Sequence, residues 1–221
     1  MEPSNVTPLR RSTERVLDAA LHSFAGRGYD ATSLDALAAS SGVKKQTILH
    51  HFRSKDGLLD AVLERAASEL ADEIDLALER PGRGWRRVDA VVRAIFRLAG
   101  TRPELVGFVR EVGRLGDPFI EHLVVAMNPL LQRASNFLEA EMAAGRMINC
   151  DARQVLFLAY AAVIGAATEV EVLRGLGVTP TVRLLVRRRR ELMGQLEFQL
   201  RPGANAHQRA SQTERSPLTV R

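Results

Sequence analysis

Apolar side chains recur at three- and four-residue spacing along most of the chain, and no run of β-branched residues alternates with the two-residue period of a strand. The pattern predicts an all-α fold. Thr7-Pro8 reads as an N-cap followed by proline at the first helical position. Val16, Leu17, Ala20, Leu21 and Phe24 then form one face of a first helix, which Gly26 and Gly28 should stop. Thr32-Ser33-Leu34-Asp35 resembles a capping box opening a short helix, LDALAASS, closed by a turn at Gly42. A third helix is expected from about residue 44 to 52, and a long fourth one, capped by Ser54, from about 55 to 79.

The segment RPGRG, residues 80–84, is a loop by composition. Beyond it the spacing predicts helices at about 85–100, 103–115, 118–144, 151–175 and 180–201, separated by joints bearing glycine or proline. This divides the chain into a helix-turn-helix unit over residues 8–56 and a larger helical unit over 57–201. Residues 202–221 have few apolar anchors and read as a disordered tail.

Composition adds little to the fold and removes several functions. The 221 residues are 46% hydrophobic and 26% charged, an ordinary globular balance. No apolar run reaches the roughly 18 residues of a bilayer span, and the N-terminus lacks the apolar segment of a signal peptide, so no membrane association and a cytoplasmic location are expected. Cys150 is the single cysteine, and the five histidines show no metal-ligand spacing, so neither a metal nor another cofactor is expected. No glycine-rich phosphate loop, HExxH or nucleophile elbow is present, and the chain is not expected to be an enzyme. The net charge of +5 permits a polyanionic partner without locating it.

The stretch SGVKKQTILHHFRSKDGLL locates one. Lys44 and Lys45 stand at the start of the third helix, where the helix dipole disfavours positive charge, and an external anion would offset that cost. Ile48, Leu49 and Phe52 are expected on the core side, with Gln46, Thr47 and His50 opposite. A helix this short is roughly 13 Å long, comparable with the ~12 Å major groove of B-DNA. Gln, Thr and His side chains can each hydrogen-bond to base edges, and Lys44, Lys45 and Lys55 would lie near phosphates. These are the only lysines among 31 basic residues. By spacing alone, an ordinary αα-hairpin remains an equal reading.

The longer run from residue 19 to 63 resembles the N-terminal helix-turn-helix of the TetR family of bacterial transcriptional regulators. The resemblance rests on Phe24, Gly28, Thr32-Ser33, Leu37-Ala38, Gly42-Val43, Ile48, His51-Phe52, Ser54-Lys55 and Leu58-Leu59. It implies an all-helical homodimer with a three-helix DNA-binding part, a connecting fourth helix and a C-terminal ligand-binding part. It also implies binding to a double-stranded DNA operator, with repression relieved by a small-molecule effector. On the DNA side it places Thr32, Ser33, Lys44, Lys45, Gln46, Thr47, His50, His51 and Lys55. Two positions depart from the family pattern: Leu49 replaces a tyrosine that commonly meets a phosphate, and Lys44 replaces a serine and offers a substitute contact.

An operator with two half-sites calls for a dimer surface. The segment 154–176 is apolar nearly all round, and the last helix carries Val182, Leu185, Leu192, Leu196 and Leu200 on one stripe. Leu185, Leu192 and Leu196 are therefore candidate interface residues. Arg189 falls in the same stripe and needs a partner there, for which Glu169 is the candidate. The effector cavity should lie among the fourth to eighth helices, with Arg110, Glu111, His122, Asn128, Tyr160 and Thr168 as possible polar liners. The competing reading is a helical dimer that binds a small molecule or a protein and no longer engages DNA.

Overall fold

The computed structural model describes residues 8–79, 83–168, 177 and 181–202. Nine helices and no strand occur among them. They are α1 (Pro8–Arg27), α2 (Leu34–Ser41), α3 (Lys45–Phe52), α4 (Lys55–Leu78), α5 (Trp85–Thr101), α6 (Pro103–Leu115), α7 (Phe119–Ala143), α8 (Ala152–Thr168) and α9 (Val182–Leu200). Among the described residues, no helix is long and apolar enough to cross a membrane. The segment 203–221, expected as a tail, lies outside the described residues, as does Glu169.

The first three turns follow local chemistry. Gly26 does not stop α1, which continues to Arg27; Gly28, at φ +90°, turns the chain. Ser33 caps α2 by accepting the Ala36 N–H at 3.1 Å, and Gly42 closes it at φ 67°, a left-handed conformation that side chains disfavour. Ser54 caps α4 by accepting the Gly57 N–H at 2.9 Å. The turn from α3 into α4 is so tight that a Cβ at Gly57 would sit 2.2 Å from the Phe52 carbonyl oxygen. Only glycine fits there.

One apolar cluster joins α1 through α4 to the larger unit. Ala20, Leu21, Phe24, Ile48, Leu58, Leu59 and Val62 are fully buried, and Phe108 and Val112 of α6 complete the same cluster. Each large apolar side chain so buried contributes about 1.5–3 kcal/mol relative to exposure. The approach of α6 is close because Gly107 faces Ala25, where an added Cβ would meet the Ala25 Cβ at 3.4 Å.

A second cluster gathers Val92 and Phe96 of α5, Leu138 of α7, Val155 of α8, and Leu192, Leu196 and Leu200 of α9. This corrects the expectation for the last helix. Leu192 is 5% exposed and Leu196 4% exposed, with Leu185 packed against the same cluster, so the leucine stripe fills the protomer's own core and is not presented to a second subunit. Arg189 has a partner within the protomer. Its Nη1 meets Asp89 Oδ1 of α5 at 2.8 Å, an ion pair inside the protomer, while the expected partner Glu169 lies outside the described residues.

Candidate nucleic-acid interface

The helix α3 is held by its inner face and offers its outer one. Ile48 is fully buried, while Lys45, Gln46, Leu49 and His50 are exposed and Thr47 is half-buried on the flank. Leu49, expected on the core side, is instead 37% exposed. The helical period explains it: three residues after Gln46, Leu49 lies only about 60° from it around the axis. That angle is available in the sequence, and it adds an apolar side chain suited to a thymine methyl beside two hydrogen-bonding ones.

The start of α3 differs from those of its neighbours. Serines cap α2 and α4, but Lys44 holds the N-cap position of α3 in extended conformation with no side-chain hydrogen bond to the first turn. Its amide donors and the two lysines therefore converge on one end of the helix, where an anion would be favoured. Lys45 is partly compensated by Asp35 of α2, 2.8 Å away, in an exposed pair of little energetic weight.

Lys55, the first residue of α4, lies with its Nζ 4.1 Å from the centroid of the Tyr29 ring. The Tyr29 hydroxyl donates to Asp56 Oδ1. Burial, reinforced by the Asp56 carboxylate, pushes the Tyr29 phenol above its ordinary pKa, so it stays a proton donor. Two arginines not among the expected contacts stand on the same unit. Arg15 reaches the turn at Gly42, and the exposed Arg53 ends α3 at φ 66°, an unusual conformation for a non-glycine residue. The positive φ has no signature in the sequence, although the charges do.

Two expected contacts do not face outward. Thr32 is 2% exposed; its Oγ1 donates to the Gly28 carbonyl at 2.8 Å and accepts from Ser23 Oγ at 2.8 Å. It ties down the loop and is not available to DNA. His51 is half-buried, and its Nε2 is buried without a hydrogen-bond partner. That nitrogen points into the protein. Ser33 is exposed, but its hydroxyl is engaged as the α2 cap.

The five possible effector liners whose side chains are described are not brought together. Arg110 and Asn128 are exposed, and Tyr160 is 43% exposed beside Phe157 on α8. His122 Nδ1 pairs with Asp60 Oδ1 of α4 at 2.6 Å. The side chain of Thr168 lies outside the described residues. Glu111 is 9% exposed and engaged elsewhere: its Oε1 accepts the Tyr29 N–H at 2.7 Å and both oxygens accept from Arg114. Arg114, with the Tyr29 N–H assisting against burial, holds the Glu111 carboxyl below its ordinary pKa. A groove of about 270 Å³ between α8 and α9 is lined by residues that include Ala161, Ala162, Gly165, Arg188 and Gln195, with none of the five described candidates among its lining.

The comparison with known proteins follows the same outline. Residues 16–62, spanning most of α1 through the first part of α4, match the family described as bacterial regulatory proteins, tetR family. Over those residues the chain is similar to the TetR family. It is 25% identical over 144 residues to the uncharacterized HTH-type transcriptional regulator YhgD of Bacillus subtilis, covering 65% of this chain and 75% of that one. It is 30% identical over 106 residues to the HTH-type transcriptional regulator BetI of Rhizobium meliloti, covering 48% of this chain and about half, 51%, of that one. Among solved structures, the transcriptional regulator FadR from Bacillus subtilis in complex with stearoyl-CoA superposes with a TM-score of 0.69 over 81% of this chain and 97% of that one, at 16% identity. At that identity the likeness speaks for the TetR-family fold alone.

Proposed function

We propose that the protein is a DNA-binding transcriptional repressor that acts as a homodimer and is released from its operator by a small apolar effector. The observation that carries this reading is α3 itself, rooted by Ile48, exposing Gln46, Leu49 and His50, and lacking a side-chain cap where Lys44 and Lys45 stand. A hairpin serving only as packing has no use for an outward polar face with two cations at its dipole-positive end.

The dimer reading rests on α8 and α9. Phe157, Leu158, Tyr160 and Val186 are 66%, 50%, 43% and 46% exposed, more aromatic and aliphatic surface than isolated exposure explains. A second copy covering this face would supply the second α3 helix that an operator with half-sites roughly 34–36 Å apart requires. Effector release then needs modest coupling: a hundredfold loss of affinity corresponds to about 2.7 kcal/mol. The stearoyl-CoA bound by a protein of the same fold makes molecules bearing an apolar acyl chain the first effectors to try.

The test is a titration against duplex DNA from upstream of the protein's own gene at several salt concentrations, beside a Lys44→Ala/Lys45→Ala/Lys55→Ala variant. Saturable, sequence-preferring binding is expected, with a salt slope that falls by about 0.9 for each phosphate the variant no longer neutralises. Failure to prefer any sequence, including in selection from a random library, would point to the alternative of a dimer that binds only a ligand or a protein.

A further inference from the structure

We propose that Glu111 on α6 is a positioning residue for the phosphate contact of Lys55, acting through Tyr29. The inference rests on the reading that Lys55 meets a DNA phosphate.

Three contacts in series make the connection. Glu111 Oε1 accepts the backbone N–H of Tyr29 at 2.7 Å, across 82 positions of sequence, and so fixes the loop that follows α1. Gly28 permits that approach: at φ +90°, with an added Cβ only 3.1 Å from Glu111 Oε1, any side chain would push the carboxylate away. The Tyr29 ring is then held between Phe24 and Phe119 of α7, with centroids 5.3 and 5.2 Å away. On its face lies Lys55 Nζ, 4.1 Å from the centroid, while its hydroxyl holds the neighbouring Asp56. A cation over an aromatic face is attracted to it and loses some of its freedom. The ammonium is thereby kept at the start of α4, as a pre-organised contact for an anion.

The placement of Glu111 is costly without such a purpose. A carboxylate 9% exposed must be fully paired, and here both Arg114 and a backbone donor are recruited to do it. Arg114 reaches on to Asp30 at 3.2 Å, clasping the same loop from its other side. Residues of α6 and α7 therefore fix the base on which Lys55 rests, and movement of α6 alters DNA affinity at Lys55 directly.

The experiment measures salt-dependent binding of the full-length protein to the upstream duplex and to a random-sequence duplex, for wild type, Lys55→Ala, Glu111→Leu, Glu111→Gln, Tyr29→Leu and the double variant Glu111→Leu/Lys55→Ala. Lys55→Ala should lower the slope by about 0.9 per subunit. Glu111→Leu should lower it toward the same value, the double variant should lose no more than Lys55→Ala alone, and Glu111→Gln, whose amide oxygen still accepts the Tyr29 N–H, should retain most of the wild-type slope. Deleting a negative charge would by itself tighten DNA binding, so weakening in Glu111→Leu is opposite to the bulk electrostatic effect. A wild-type slope in folded Glu111→Leu beside a reduced slope in Lys55→Ala overturns the relay alone. Should Glu111→Leu not fold, a wild-type slope in Tyr29→Leu overturns it instead. A wild-type slope in Lys55→Ala, or no binding by the wild-type protein to either duplex, removes the phosphate reading and the relay with it.

Discussion

The helices α1 to α4 and the pair α8–α9 bury their apolar side chains in different ways. In the first group the core closes with the help of α6: Leu21, Phe24, Ile48, Leu58 and Leu59 are all fully buried, and on α3 what remains outside is polar or charged apart from Leu49. In the second, Leu192 and Leu196 are buried while Phe157, Leu158 and Val186 remain about half or more exposed. The first group is closed within a single protomer, and the second leaves an apolar face uncovered.

Substitution of Phe24 by alanine breaks the comparison on its closed side. Loss of a fully buried ring should cost about 3–5 kcal/mol in denaturant unfolding and abolish DNA binding. On the open side, Phe157→Ser/Leu158→Ser should leave the far-UV circular dichroism unchanged while raising the dimer dissociation constant about a hundredfold or more, read by sedimentation. A fully dimeric variant would show that this face is covered by something else. Smaller effects sharpen the assignment of α9. A double-mutant cycle on Arg189→Leu and Asp89→Ala should give a coupling of about 0.5–1 kcal/mol in protomer unfolding, because the pair lies within one chain and is only partly screened.

The smallest effect concerns Glu141, whose carboxyl Arg146 holds below the ordinary value of 4.5, against the opposing effect of burial. A depressed pKa contributes stability above that value and loses it as pH falls through the folded-state pKa. Glu141→Gln should therefore flatten the acid limb of the stability profile below about 4.5, measured by urea unfolding at a series of pH values.

Sequence patterns reach the closed region further than the open one, and the particulars show why. The starts of α2 and α4 are legible because Ser33 and Ser54 act on N–H groups three residues away. Burial of Thr32 is not, since its partners Ser23 and Gly28 are assembled by the loop rather than by a pattern. The leucine stripe of α9 is legible as a stripe, but periodicity gives a face without naming what covers it. The Arg189–Asp89 and Glu111–Tyr29 contacts span 100 and 82 positions, a range at which one sequence holds no signal of pairing.

The absent side chain at Gly57 has an evolutionary corollary. With the Phe52 carbonyl oxygen 2.2 Å from where a Cβ would stand, the joint between α3 and α4 has no slack and no tolerated variants. On the proposed reading, the outward positions Gln46, Leu49 and His50 carry no such constraint and can be exchanged as a cassette on an unchanging mount. Descendants of this chain that bind DNA as proposed could acquire new target sequences by altering those three residues while inheriting the same scaffold.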